Sequence, residues 1–198
     1  MAAVSTRGGW WRRNWWALLA LLPVLAAMVL VSPEQPHQVW RSAQPREPVA
    51  ATADGWVRYA GARLRLRHVH PADLRDPVTG REVSLPAGVR AWQVTVEVEW
   101  LVEPYQALPG CQWWLVDQYG RRYGADAYEV RGAQLGVDGP TYWASECLPE
   151  ERDTVGDVGL LHAVFLVPAE ARPEVIQVTL RDRLPRYVRF DVAESTRA

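Results

Sequence analysis

The sequence contains no lysine, so all 22 of its strongly basic residues are Arg. Against 23 acids they leave a formal net charge of −1, and the basic excess of a dedicated nucleic-acid binder is missing. Two Cys are too few to build a metal centre without further ligands nearby. There is no Gly-x-Ser-x-Gly, no phosphate-cradling Gly loop and no thiol–His signature, so no motif points to catalysis or to a cofactor. No internal repeat occurs, and no 12-residue stretch after Pro48 keeps helical spacing. With 48% hydrophobic and 23% charged residues, collagen, coiled-coil and wholly disordered classes are excluded. The Lys-free, Arg-rich usage points to a GC-rich bacterial genome.

Tryptophan, by contrast, is abundant, with 11 in 198 residues. Four of them, Trp10, Trp11, Trp15 and Trp16, crowd the start of the longest uncharged run, residues 15–31. As a helix those 17 residues span about 25 Å, slightly short of a roughly 30 Å hydrocarbon core. Indoles favour the headgroup layer and extend the anchored length. Arg7, Arg12 and Arg13 precede the run, and no acid occurs before Glu34. The positive-inside rule then places the N-terminus in the cytoplasm and the rest outside, a single-pass protein of the cell membrane. A cleaved signal peptide is the alternative, but residues 28–33 (MVLVSP) lack the small-residue cleavage pattern.

The expected organisation is a cytoplasmic stretch 1–14, a transmembrane helix 15–32, a Pro-rich tether 33–54, a domain 55–193 and a tail 194–198. The tether carries Pro33, Pro36, Pro45 and Pro48 without apolar periodicity, so an extended spacer is expected. The portion after Pro33 holds 19 Arg and all 23 acids, a net charge of −4.

The external domain reads as all-β. Residues 92–100 (WQVTVEVEW) alternate strictly, with Trp92, Val94, Val96, Val98 and Trp100 on one face. Gln93, Thr95, Glu97 and Glu99 take the other, which gives one dry face and one wet face. Residues 62–69 (ARLRLRHV) repeat the pattern, with Leu64 and Leu66 against Arg63, Arg65 and Arg67. If these two strands are neighbours in one sheet, the Arg stripe stands across from the Glu stripe. Further strands are expected at 112–116, 122–123, 160–167, 175–181 and 187–192. Turn signals such as Asp76-Pro77-Val78-Thr79-Gly80 separate the runs. Six to eight short strands with such turns predict an immunoglobulin-like β-sandwich.

The order YAGARLRLRHV, RAWQVTVEVEW, WWLVDQYGRRYG, GLLHAVFLVP and EVIQVTL resembles the telokin-like, immunoglobulin-type domains of anchored or secreted Gram-positive proteins. The shared D-x-x-G-x-x-Y stretch is Asp117, Gly120 and Tyr123; the G-x-x-x-x-x-F-x-V-P stretch is Gly159, Phe165, Val167 and Pro168. The resemblance covers about residues 59–180. Family members often carry Asn-Thr or Asn-x-Gly after the second strand, where this chain has Val102-Glu103-Pro104-Tyr105. The resemblance implies a non-enzymatic binding or accessory module; docking a protein partner at the cell envelope is the expected role of this chain.

Several residue sets invite chemistry. Cys111 and Cys147, outside the membrane, read as one disulfide, with free thiols or a redox or metal pair as alternatives. His68 and His70 share a strand face and would need a third metal ligand, Asp73 being nearest. Residues 145–157 carry Glu146, Glu150, Glu151, Asp153 and Asp157 but not the order of a calcium loop. Glu97 and Glu99 lie on one strand face, without the facing geometry of a glycosidase pair. None of these sets is expected to be catalytic or to hold a metal or cofactor. Trp113 and Trp114 are adjacent on a strand and must face opposite sides. With Trp143 and Tyr142 they are the candidate partner-binding aromatics, and stacking on a cell-wall glycan is the alternative use of such residues.

Overall fold

The structure is a computed structural model that describes residues 8–31, 44–125, 128–137, 139–140, 147 and 153–192. The chain divides into two units, Met1–Ser42 and Ala43–Ala198.

The first unit contains one helix, α1 (Gly8–Val31), with Pro23 inside it. Side chains are described for residues 13–27, and the apolar ones lie exposed on every face, Trp16, Leu22 and Val24 among them. A crossing needs about 18–20 apolar residues, and among the described residues no helix is long and apolar enough to cross a membrane.

The second unit is all-β, a sandwich of two sheets. One sheet has four strands in the order β2 (Val57–Tyr59), β3 (Ala62–Pro71), β5 (Val89–Trp100) and β9 (Val158–Pro168). The other has five, in the order β1 (Glu47–Val49), β11 (Arg186–Asp191), β10 (Pro173–Thr179), β6 (Gln112–Asp117) and β7 (Arg122–Gly124). β4 (Leu74–Arg75) and β8 (Gln134–Leu135) pair as a small third sheet. A single helical turn, α2 (Pro104–Ala107), follows β5.

Alternation decides what each strand buries. Val94, Val96, Val98 and Trp100 are fully buried against Leu64, Leu115, Phe165, Ile176 and Val188 from neighbouring and facing strands. Trp92 is only partly buried at the margin of this core. Two polar contacts fix core aromatics, and the first of them joins the two sheets. The Tyr59 hydroxyl donates to the Arg186 carbonyl at 2.9 Å and accepts the Leu180 amide at 3.1 Å, joining β2 to the opposite sheet. The Trp100 indole N–H donates to Asp153 at 3.0 Å. Cys111 and Cys147 form a disulfide with a Cα separation of 5.8 Å.

The D-x-x-G-x-x-Y stretch has a structural explanation. Asp117 is fully buried and accepts the amides of Tyr119 and Arg121, the Arg121 Nε–H and the Tyr123 hydroxyl at 2.7–3.1 Å. Gly120 takes the positive φ, 76°, that closes the turn. Burial alone would raise the Asp117 carboxyl; the bonds from Arg121, Tyr119 and Tyr123 outweigh it and hold the group below its ordinary value. In the Asp76 turn, the carboxylate accepts the amides of Val78 and Thr79, and Gly80 has φ 68°.

Three expectations are corrected. Glu47–Val49 lies inside the stretch read as a tether, yet it pairs in parallel with Arg186–Val188. A three-residue strand with a central Pro carries no readable alternation, so the sandwich starts earlier than residue 55. The face of β5 read as wet is largely covered: Gln93, Thr95 and Glu97 are buried. Arginine stems from β3 lie over part of it, and a second cluster formed by Leu74, Ala91, Val130, Ala133, Leu135 and Val164 caps its far end. The alternation of β3 also does not run through. A bulge between Leu66 and His68 shifts the register, so Val69 rather than His68 follows Leu66 on the inner face.

Candidate functional site

β3 and β5 run antiparallel with Arg63 opposite Glu99 and Arg65 opposite Glu97. Arg63 reaches Glu99 at 2.7 Å, Arg65 reaches Glu97 at 2.5 Å, and Arg67 from the bulge takes the other Glu97 oxygen. The two stripes foreseen in the sequence are therefore paired within one sheet. The Glu97 side chain is only 10% exposed. Burial would raise its carboxyl, and the hydrogen bonds from Arg67 and Arg65 outweigh that and hold it below the ordinary value. Trp56 lies beside this row, with the Arg63 and Arg65 guanidinium carbons 4.9 and 4.7 Å from its ring centre.

The arginine row borders an open cleft of about 870 Å³. Its position follows from where two short strands stop. β2 pairs only with Ala62–Leu64, the start of β3. β1 pairs only with Arg186–Val188, the start of β11. The chain passes from β1 to β2 through residues 50–56. Beyond that crossing both β3 and β11 continue with one neighbour each among the described strands. The cleft lies between these two free edges. Leu66, Val69, Val49 and Phe190 give it an apolar lining. Arg67, His68 and His70 line it from β3, and Arg189 and Asp191, paired with each other at 2.8 Å, from β11. The bulge decides this composition, because it turns His68 and His70 to the same outer face as Arg65.

Of the sequence-derived candidates, His68 and His70 lie here, and the partner-binding aromatics do not. Trp113 is 2% exposed and belongs to the core, which corrects its reading as a partner-binding residue. Trp114 faces the outside of the other sheet, partly buried, with the Arg122 guanidinium 4.8 Å from its ring centre. Trp143 and Tyr142 lie outside the described residues. Among the described residues no three His, Cys, Asp or Glu side chains gather as metal ligands. Glu146, Glu150 and Glu151 lie outside the described residues. Asp153 serves Trp100, and Asp157 accepts the Thr154 amide and hydroxyl at 2.8 Å. His162 sits beside Thr95 at 3.2 Å on the outer face. Sequence reasoning singled out His68, His70 and the arginine stripe but missed the cleft they line, because only the lengths of β1 and β2 expose it.

No family model matches the chain, and no curated protein is similar to it. Among solved structures it is similar to the crystal structure of an uncharacterised β-sandwich protein from Clostridium difficile 630. The identity is 7% and the TM-score 0.41, over 75% of this chain and 96% of that one.

Proposed function

We propose that the chain is a non-enzymatic, membrane-anchored extracytoplasmic binding module of the telokin-like, immunoglobulin-like kind, which docks an envelope protein partner through the cleft between β3 and β11. The cleft carries this reading. A concave surface beside exposed sheet edges, with apolar residues at its floor and charged ones around them, suits recognition of a peptide segment. Its rim of Arg, His and Asp adds orientation.

The anchor rests on residues 15–31, uncharged and following three Arg. A helix apolar on all faces needs a nonaqueous environment or a protein interior around it. The glycan-binding alternative draws less support, since Trp114 and Trp56 each lie under a guanidinium instead of offering an open stacking face.

The test is co-purification of the full chain from solubilised membranes, comparing the natural sequence with His68→Glu, His70→Glu. Both side chains are exposed, so the fold is expected to persist. A partner retained by the natural chain and lost with the double variant is the expected result. Equal retention by both chains would remove the cleft as the docking surface.

A further inference from the structure

We propose that the occupant of the cleft is an extended peptide segment of the partner, added as a strand along the free edge of β3, with acidic side chains on its outer face and apolar ones on its inner face. The inference rests on the cleft being the docking surface, and it names what docks there.

The backbone makes the first argument. β3 pairs with β5 along its whole length but with β2 only as far as Leu64. Among the described residues, 65–70 therefore present one side of a strand without a neighbouring strand, about 20 Å of edge at 3.3 Å per residue. Roughly alternate N–H and C=O groups of such an edge point away from the existing partner, and an incoming strand satisfies them.

The side chains make the second. On the outer face this edge carries Arg65, Arg67, His68 and His70, with no acid among them. Glu97 is already shared by Arg65 and Arg67, and the two acids that line the cleft each hold an arginine, Asp54 with Arg63 at 3.4 Å and Asp191 with Arg189 at 2.8 Å. On its paired side, the arginine row of β3 is met by the glutamates of β5. A strand with Glu or Asp at alternate positions repeats that cross-strand chemistry on the open side. Its other face looks toward Leu66 and Val69, which are only partly buried where β1 and β2 end, with the buried Phe190 behind them.

The same charges argue against a second copy of this chain as occupant. Edge-to-edge pairing of two β3 strands would set basic rows side by side, and like charges across a strand pair are destabilising.

The test uses the full chain in detergent micelles and a labelled probe, acetyl-Val-Glu-Val-Glu-Val-Glu-amide, followed by fluorescence anisotropy. Saturable binding is expected. It should weaken at least tenfold when alternate peptide nitrogens are methylated, and at least tenfold when Arg replaces Glu in the probe. In the protein variant His68→Glu, His70→Glu the preference should shift toward the Arg probe. Absence of saturable binding, or binding indifferent to N-methylation on either alternate set of nitrogens, overturns strand addition. Sedimentation of the probe-free chain as a dimer that the double variant abolishes would overturn it in favour of a second copy. The two readings fail separately. If the double variant loses its co-purifying partner while the probe never binds, docking at the cleft stands and strand addition falls. If the probe binds but co-purification is indifferent to the variant, the docking reading falls.

Discussion

Arg65 and Glu97 face each other across β3 and β5, and Arg65 closes on a single Glu97 oxygen with both Nε at 2.8 Å and Nη2 at 2.5 Å. Arg67 holds the second oxygen. One nearly buried carboxylate thus fixes two guanidinium groups at the lip of the cleft.

Glu97→Gln should therefore destabilise the fold by about 1–2 kcal/mol at neutral pH, below the 3–5 of a fully buried pair because both arginines reach solvent. The pH dependence has a definite sign. The folded-state Glu97 carboxyl lies below its ordinary value of 4.5, so the folded chain binds this proton more weakly than the unfolded one. Its stabilisation is fully present above that ordinary value and is lost as pH falls through the folded-state value. Thermal melts from neutral to acid pH should show the natural chain and Glu97→Gln converging at the acid end. A constant gap across the range would contradict this.

The disulfide joins residues 36 positions apart. Chain-entropy arithmetic gives a contribution of roughly 4 kcal/mol at best for a loop of that size. Cys147→Ala should lower the melting temperature, and mass analysis without reductant should recover Cys111 and Cys147 in one linked species. Alkylation of both thiols in the native, unreduced protein would be the contrary result.

Ala60 has φ 52° in the turn between β2 and β3, a conformation that costs a residue with a Cβ about 1 kcal/mol or more. Ala60→Gly should raise stability by up to about that amount, in spite of the entropy a glycine adds to the unfolded chain. Gly61 beside it should behave in the opposite way. A Cβ there would stand 2.3 Å from a Val102 methyl and 2.9 Å from the Ala107 Cα, so Gly61→Ala should destabilise. Denaturant melts of the two single variants check both signs.

Asp117→Asn should lower the melting temperature more than Tyr123→Phe. The phenylalanine variant removes one hydrogen bond to the buried carboxylate, whereas the amide turns donors toward Arg121 and the turn amides. Equal effects would mean that the network does not centre on Asp117.

Much of the sandwich was legible because strands buried on one face must alternate. Residues 92–100 and 62–66 show the alternation, and their opposite charges made the pairing of β3 with β5 one of the arrangements open to the sequence. What escaped depends on features without periodicity. β1 is three residues with a Pro, β4 and β8 have two residues each, and the bulge at Arg67 leaves no mark in the sequence. The alternation also assigns faces but not covers. Glu97 was correctly placed outward, yet the arginines that bury it come from another strand. The cleft was illegible for the same reason, since it exists only where β1 and β2 end.

The account turns on the cleft being where a partner docks. A photoreactive residue placed at His70 in intact cells tests this most directly, with the same residue at Tyr119 as control, 68% exposed in the turn between β6 and β7. Irradiation should give a discrete higher-mass adduct from position 70 and none of that mass from position 119. No adduct at position 70, or the same adducts from both positions, would contradict the account.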